Sequence, residues 1–196
     1  MGIESDPVEI FRALFERAKQ ECAEPDAMVL STADADGRPS GRYVLLKDFD
    51  QHGFVFYTNL GSRKALALTA NPHASLCFYW APIDKQVRIE GSVERVTDEE
   101  ADGYFATRPR ESQIGAWASA QSAPLDSRAS LDRRVAEARQ RFGGGAVPRP
   151  PFWSGYRVVP DAIEFWTRDP ARLHDRELYE RDKGNRGPWV RTLLFP

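Results

Sequence analysis

The apolar positions change their period along the chain, and the change marks out the elements. Ile10, Phe11, Leu14, Phe15 and Ala18 recur at helical spacing. Asp6 stands before them as an N-cap and Pro7 takes the first helical position. Residues 1–25 therefore hold an amphipathic N-terminal helix packed on a core. From residue 27 the pattern becomes that of strands: 27–32, 41–47 and 53–58, separated by Asp34-Ala35-Asp36-Gly37 and by a turn at 48–52. Ser62 can cap a short helix that ends at Ala70, before Asn71-Pro72. Residues 74–80 form a strongly apolar strand. Residues 85–96 form a long one, with Val87, Ile89, Gly91 and Val93 on one face.

Helical signals return at Thr97-Asp98-Glu99-Glu100. Pro109 disfavours helical geometry at Arg108, so this helix breaks there and restarts with Pro109 at its first position. It continues over 111–121 to the breaker Ser122-Ala123-Pro124. Ser127 caps a last helix reaching Phe142, whose charged residues form a solvated face. Residues 143–152, glycine-rich and then proline-rich, are a stiff connector. Residues 153–196 read as strands at 153–159, 163–167, 172–180 and 189–194, which complete the sheet and the site. Short strands joined by tight turns predict one domain over 1–196. Its class is mainly β with flanking helices (α+β), an antiparallel barrel rather than a doubly wound sheet.

Composition narrows the function. The net charge is -2, so no global field recruits nucleic acid or an acidic membrane, and any anion site is local. Cys22 and Cys77 are too few for a disulfide framework, which makes a reduced, cytoplasmic chain the expectation. Residues 1–7 lack an apolar signal core, and no apolar run nears the roughly 20 residues of a membrane span. His52, His73 and His174 are scattered and there is no C-x-x-C, so no metal site is expected.

Four stretches carry candidate chemistry. In R-Y-V-L-L-K (42–47), period two puts Arg42 and Lys47 on opposite faces unless a bulge intervenes. They bind different ligands or different ends of one site, or they are snorkelling surface cations. In Y-T-N-L-G-S-R-K (57–64), a strand end, Gly61, a capping Ser62, Arg63 and Lys64 assemble an anion site for a phosphate monoester. The alternative is a capped helix with two exposed cations. It is not a P-loop. Gln86, at a strand start, can hydrogen-bond a ligand edge. Tyr104, Arg108 and Ser112 recur every four residues, either as a second phosphate clamp or as a solvated face. Residues 163–176 read as a hairpin turning at Arg168-Asp169-Pro170-Ala171. A strand from Arg172 points Arg172, His174 and Arg176 one way, beside Trp166. That face suits a planar anionic ligand, or it is a solvated edge.

In this order, the motifs at 42–47, 56–65, 108–117 (R-P-R-E-S-Q-I-G-A-W) and 163–176 resemble the pyridoxine/pyridoxamine 5'-phosphate oxidase family, flavin enzymes of vitamin B6 synthesis. The resemblance runs from about Asp6 to near the C-terminus. It implies a split β-barrel homodimer with FMN bound across the interface. Arg42, Arg63 and Lys64 would hold the FMN phosphate and its surroundings. Tyr57, Thr58, Gln86, Gln121, Ser122, Trp166 and Arg176 would complete the cofactor site. Lys47, Tyr104, Arg108 and Ser112 would grip the substrate phosphate, and the catalytic pair Arg172 and His174 would lie over the pyridine ring. The implied reaction moves a hydride from the substrate C4' carbon to the flavin, with O2 as final acceptor. Pyridoxine 5'-phosphate or pyridoxamine 5'-phosphate becomes pyridoxal 5'-phosphate, with H2O2 and, from the amine, NH3.

Three departures from the family pattern stand out. The family usually carries a longer basic N-terminal arm, a lid expected to be missing here. Arg168 stands where Gly or Asn is preferred. Residues 191–196 depart from the usual Arg-Leu-x-Pro ending. Other readings are a phenazine-type flavin oxidase, which tends to lose the substrate-phosphate clamp, a non-catalytic flavin- or haem-binding split barrel, and a ligand-free structural dimer.

Overall fold

A computed structural model describes residues 6–182 and 187–196. Helix α1 (Pro7–Glu21) starts where the pattern requires: the Asp6 carboxylate accepts the Val8 N–H at 2.9 Å, and Phe11, Phe15 and Ala18 are buried. Strands β1 (Ala27–Ala33), β2 (Pro39–Leu45), β3 (Asp48–Asp50) and β4 (Gly53–Asn59) lead into helix α2 (Arg63–Ala70). Strand β5 (His73–Trp80), a 3-10 turn (Ala81–Ile83) and β6 (Lys85–Arg95) follow. Helices α3 (Asp98–Thr107), α4 (Arg110–Ala118) and α5 (Arg128–Phe142) precede the strands β7 (Trp153–Thr167), β8 (Asp175–Glu180) and β9 (Val190–Leu194).

The nine strands pair antiparallel in one sheet, ordered β2-β1-β5-β6-β7-β4-β3 with β8 on β7 and β9 on β8. The sheet branches at β7, which makes it a split barrel. The first half of β7 lies between β6 and β4, and its second half between β6 and β8. Aromatic residues of α1 close the inner face: Phe11 meets Phe54 edge-on at 4.9 Å and Phe78 at 5.2 Å. A smaller core of Phe105, Ile114, Ala138, Val147 and Trp153 fixes α3, α4 and α5 against the start of β7.

Several boundaries differ from those the sequence predicts, each for a local reason. The strands expected at 153–159 and 163–167 are one strand. Pro160 interrupts the pattern, but it sits where the β6–β7 register shifts beside Gly91, and a bulge tolerates a missing N–H. Gly91 is required there, because a Cβ would come 1.9 Å from the Val159 carbonyl oxygen. The turn expected at 48–52 contains β3. Strand β2 ends at Leu45, ahead of Lys47, whose N–H donates to Val55 O at 2.9 Å. Helix α4 ends at Ala118, so Gln121 and Ser122 (φ 72°) lie in the turn after it. Pro109 is the N-cap of α4 rather than its first residue.

Candidate active site

The end of β4 and the start of α2 bring buried polar groups together. Ser62 holds the N-cap position of α2, yet its hydroxyl makes no cap bond. Instead, Lys64 Nζ donates to Ser62 Oγ at 3.2 Å, Thr58 Oγ1 at 3.0 Å and Gln121 Oε1 at 3.2 Å. Gln121 Oε1 also accepts from Thr58 at 2.9 Å, which ties the turn after α4 to β4. Lys64 is buried. Burial, and then the nearby charge of Arg42, bring its ammonium down to about 8. Arg42 donates to Leu30 O at 3.0 Å and Thr32 Oγ1 at 2.9 Å, and burial and then Arg63 lower its pKa. No salt bridge among the described residues includes Arg42, Arg63 or Lys64. Three cations with no carboxylate partner, each raising the cost of the next, fit an anion of high charge density.

A cleft of ≈ 690 Å³ opens beside them, lined by Lys47, Tyr57, Thr58, Lys64, Tyr104, Arg108, Ser112 and Gln121 among others. The helix break foreseen at Arg108 is present: Arg108 is the C-cap of α3, with ψ 145°. The break lets Tyr104, Arg108 and Ser112 reach one space without continuous helical phase. Arg108 lies over the Trp153 indole at 4.7 Å, and its Nη1 is buried with no hydrogen-bond partner. Burial lowers its pKa. The near-parallel rings of Tyr57, Tyr104 and Trp153 form a cluster, with Tyr57 4.1 Å from Tyr104 and 5.3 Å from Trp153, and Tyr104 6.2 Å from Trp153. Burial first, and then Glu100, push the Tyr57 phenol up to about 12, so it stays neutral. Lys47 reaches the cleft while paired with Asp26 at 2.9 Å. Arg42 does not line this cleft, in keeping with the different faces expected for the two cations.

Arg63 and Lys64 point apart rather than to one spot. Lys64 faces the cleft, whereas the exposed Arg63 lines a second cavity of ≈ 600 Å³ with Ser122, Ser40 and Gly61.

The remaining predicted residues cluster on β6, β7, β8 and the turn before β8. Gln86 lies opposite Trp166, and Trp166 opposite Arg176. The Trp166 and His174 rings are 4.5 Å apart, and His174 Nδ1 accepts the Asp169 N–H at 3.0 Å. The expected strand over 172–176 is corrected here. Asp169 Oδ1 accepts the N–H groups of Ala171 and Leu173, at 2.7 and 3.2 Å, and holds a turn. Arg172 is exposed within it at φ 68°, so the three side chains do not alternate along one strand. Arg168, the unusual turn residue, faces Asp84 at 3.6 Å. Gln86, Trp166, Arg172, His174 and Arg176 line neither cavity.

Residues 14–142 match the family model described as pyridoxamine 5'-phosphate oxidase. The chain belongs to the pyridoxamine 5'-phosphate oxidase family. Residues 153–196 match the pyridoxine 5'-phosphate oxidase C-terminal dimerisation region. A pyridoxine/pyridoxamine 5'-phosphate oxidase of Myxococcus xanthus (strain DK1622) is 58% identical over 195 residues, covering 99% of this chain and 93% of the relative. One from Rubrobacter xylanophilus is 56% identical, covering 100% and 89%. Among solved structures, PhzG from Burkholderia lata 383, in complex with tetrahydrophenazine-1-carboxylic acid, has a TM-score of 0.91 at 34% identity, covering 99% and 94%. A pyridoxamine 5'-phosphate oxidase-related, FMN-binding protein from Nostoc punctiforme has a TM-score of 0.76 at 16% identity, covering 100% of each chain, and shares the fold.

Two residues at the site, Asp26 and Trp153, escaped the sequence reading. Asp26 pairs with Lys47 across 21 positions, and nothing local announces that partner. Trp153 reads as a strand start, and its role as a stacking floor depends on α3. Asn59 was legible: its Oδ1 accepts the Gly61 N–H at 2.8 Å, a turn that Asn-x-Gly spacing forecasts.

Proposed function

We propose that this chain is an FMN-dependent oxidase that converts pyridoxine 5'-phosphate or pyridoxamine 5'-phosphate to pyridoxal 5'-phosphate, with O2 as acceptor. The observation that carries it is the presence of two separate anion sites at one cleft. Lys64, with Arg42 near it and no carboxylate partner, faces one side, and Arg108 offers a buried, unpartnered Nη1 on the other, while Arg63 opens on the neighbouring cavity. A phosphorylated cofactor and a phosphorylated substrate account for both.

Bound FMN supplies an acceptor for the hydride of C4' and a route for its electrons to O2, which leaves as H2O2. The chain's own residues bind and orient. Arg42, Arg63 and Lys64 take the cofactor phosphate, and Tyr57, Thr58, Gln121 and Ser122 border it. Lys47, Tyr104, Arg108 and Ser112 take the substrate phosphate, with the cluster of Tyr57, Tyr104 and Trp153 rings fixing Tyr104 and Arg108. Fixing both ligands at their phosphates leaves little freedom at the reacting carbon.

Gln86, Trp166 and Arg176 meet the cofactor, and Arg172 and His174 the pyridine ring, from a second copy of the chain. The match of 153–196 to a dimerisation region supports this, as does the absence of all five from the cleft of their own protomer. His174 Nδ1 accepts a backbone N–H, so in the neutral ring the proton sits on Nε2, which becomes the donor towards substrate. Both cysteines are free, in keeping with a cytoplasmic enzyme.

The likeness to PhzG favours a second reading, oxidation of a reduced phenazine-like ring. The higher identity to the B6 oxidases and the intact phosphate clamp favour the first. The test is one purified sample. Flavin absorbance, with aldehyde and peroxide formed from pyridoxine 5'-phosphate in air, is the expected result. A flavoprotein inert to both B6 phosphates but active on a dihydrophenazine carboxylate would reverse the choice. A protein that takes up no FMN would remove both.

A further inference from the structure

Glu164, 3% exposed, is the one buried carboxylate among the described residues, and it lies between two guanidinium groups. Arg88 Nη2 is 2.8 Å from its Oε2, and Arg176 Nε donates to its Oε1 at 2.8 Å. The register explains the grouping. Arg88 is opposite Glu164 on β6–β7, and Trp166 is opposite both Gln86 and Arg176 one pleat away. Successive odd steps point inward, so these residues share one face. A carboxylate removed from water persists as an anion only where cations compensate it. Arg88 also meets Glu90 at 3.3 Å, so two cations face two carboxylates, of which only Glu164 is buried.

We propose that Glu164 is a positioning residue for the cofactor site, acting through Arg176. The proposal rests on the FMN reading above. Arg176 has its Nε held by Glu164 and its Nη1 by Phe195 O at 3.1 Å. Two bonds from two directions fix the plane of the guanidinium, and no hydrogen bond to a described residue uses Nη2. That edge is what remains for a ligand. Arg88 acts one step further out: it is an ion-pair partner of the second oxygen of Glu164, Oε2, which accepts no hydrogen bond. Without the negative charge, Arg88 keeps Glu90 as a partner, whereas Arg176 loses the only carboxylate it meets among the described residues and leaves its place beside Trp166.

The experiment is a thermodynamic cycle on FMN affinity, measured by quenching of flavin fluorescence with apoprotein. The proteins are the wild type, Glu164→Gln, Arg176→Met and the double variant, each with a melting temperature of the apo form. A wild type that does not bind FMN overturns the cofactor reading, and this inference with it, before any variant is compared. Given binding, Glu164→Gln is expected to weaken FMN about tenfold or more in the wild-type background, the scale of one charge-assisted contact. In the Arg176→Met background the same change should cost less than twofold, whatever it does to the melting temperature. An equal loss of affinity in both backgrounds, or no loss in the first, overturns the proposal. If Glu164→Gln does not fold, Glu164→Asp, which withdraws the charge by one methylene, takes its place in the cycle with the same expectations.

Discussion

The guanidinium of Arg108 lies 4.7 Å over the indole of Trp153 and leaves Nη1 buried without a hydrogen-bond partner. The stack fixes the plane of the group while one donor stays unsatisfied, an arrangement that stores binding capacity for an anion. Arg108→Ala should raise KM for pyridoxine 5'-phosphate by about 10–100-fold, since a charge-assisted hydrogen bond contributes about 1.5–3 kcal/mol. FMN affinity should stay within a factor of about two, because the residues proposed for that phosphate are separate from Arg108. Steady-state kinetics with a flavin titration check both. An unchanged KM would take Arg108 out of the substrate site.

Arg172 occupies the left-handed region, at φ 68°, in an exposed turn. That conformation costs an L-residue about 1–2 kcal/mol, and glycine carries no such cost. Arg172→Gly should therefore melt no lower than the wild type while kcat falls about 100-fold or more, the scale of losing a preorganised charge at a reacting centre. Strain kept at a position that contributes nothing to folding is a mark of function. Thermal unfolding and turnover on the same preparation decide the matter. Loss of melting temperature together with kcat would make Arg172 a structural residue.

The sequence exposes whatever is local and hides whatever is set by register. Asp6-Pro7, the break at Arg108-Pro109 and the acidic start of α3 are signals within one turn of chain, and all stand where they were read. Lys47, Tyr104, Arg108 and Ser112 line one cleft, a grouping that came from the family resemblance, since the break at Arg108-Pro109 removes a continuous helical phase. Pro160 misled, since proline marks both strand ends and bulges, and only the partner Gly91 distinguishes them. Arg172 misled for a related reason. R-x-H-x-R has a strand's period, but Asp169 captures the local N–H groups first and holds a turn. The separation of Arg63 from Lys64 follows from adjacent positions on a helix, about 100° apart, and was available in principle.

Gly91 lies at the β6–β7 register shift, and substitution there should be expensive. A Cβ at this position would lie 1.9 Å from Val159 O and 2.9 Å from Pro160 Cα, both backbone atoms with no freedom to withdraw. Gly91→Ala should destabilise by about 2–4 kcal/mol, at or above the usual range for overpacking, and lower Tm by roughly 5–15 °C. Gly103 is the control. It lies within α3 with nothing within 4 Å of its Cβ position, so Gly103→Ala should stabilise by about 0.5–1 kcal/mol. Thermal melts of the two variants beside the wild type test the bulge, and equal Tm values would refute it.

Lys64 links cofactor affinity to pH with a definite sign. Burial and Arg42 hold its ammonium at about 8 in the free protein, below the ordinary 10.5. The unfolded chain keeps that proton to higher pH than the folded one. Lys64 therefore adds to apoprotein stability as pH rises from about 8 towards 10.5, and subtracts from it below 8. A phosphate dianion requires the charged form. Its affinity should be flat below pH 8, then weaken towards tenfold per pH unit as the neutral amine takes over. Lys64→Met should remove this pH dependence, stabilise the apoprotein at pH 7 and weaken FMN binding, since it removes a buried charge together with its three hydrogen bonds. Fluorescence titrations of FMN from pH 7 to 9.5, with apo melts at each pH, separate the two effects. A dissociation constant that stays level across that range would mean that Lys64 is not the group that meets the phosphate.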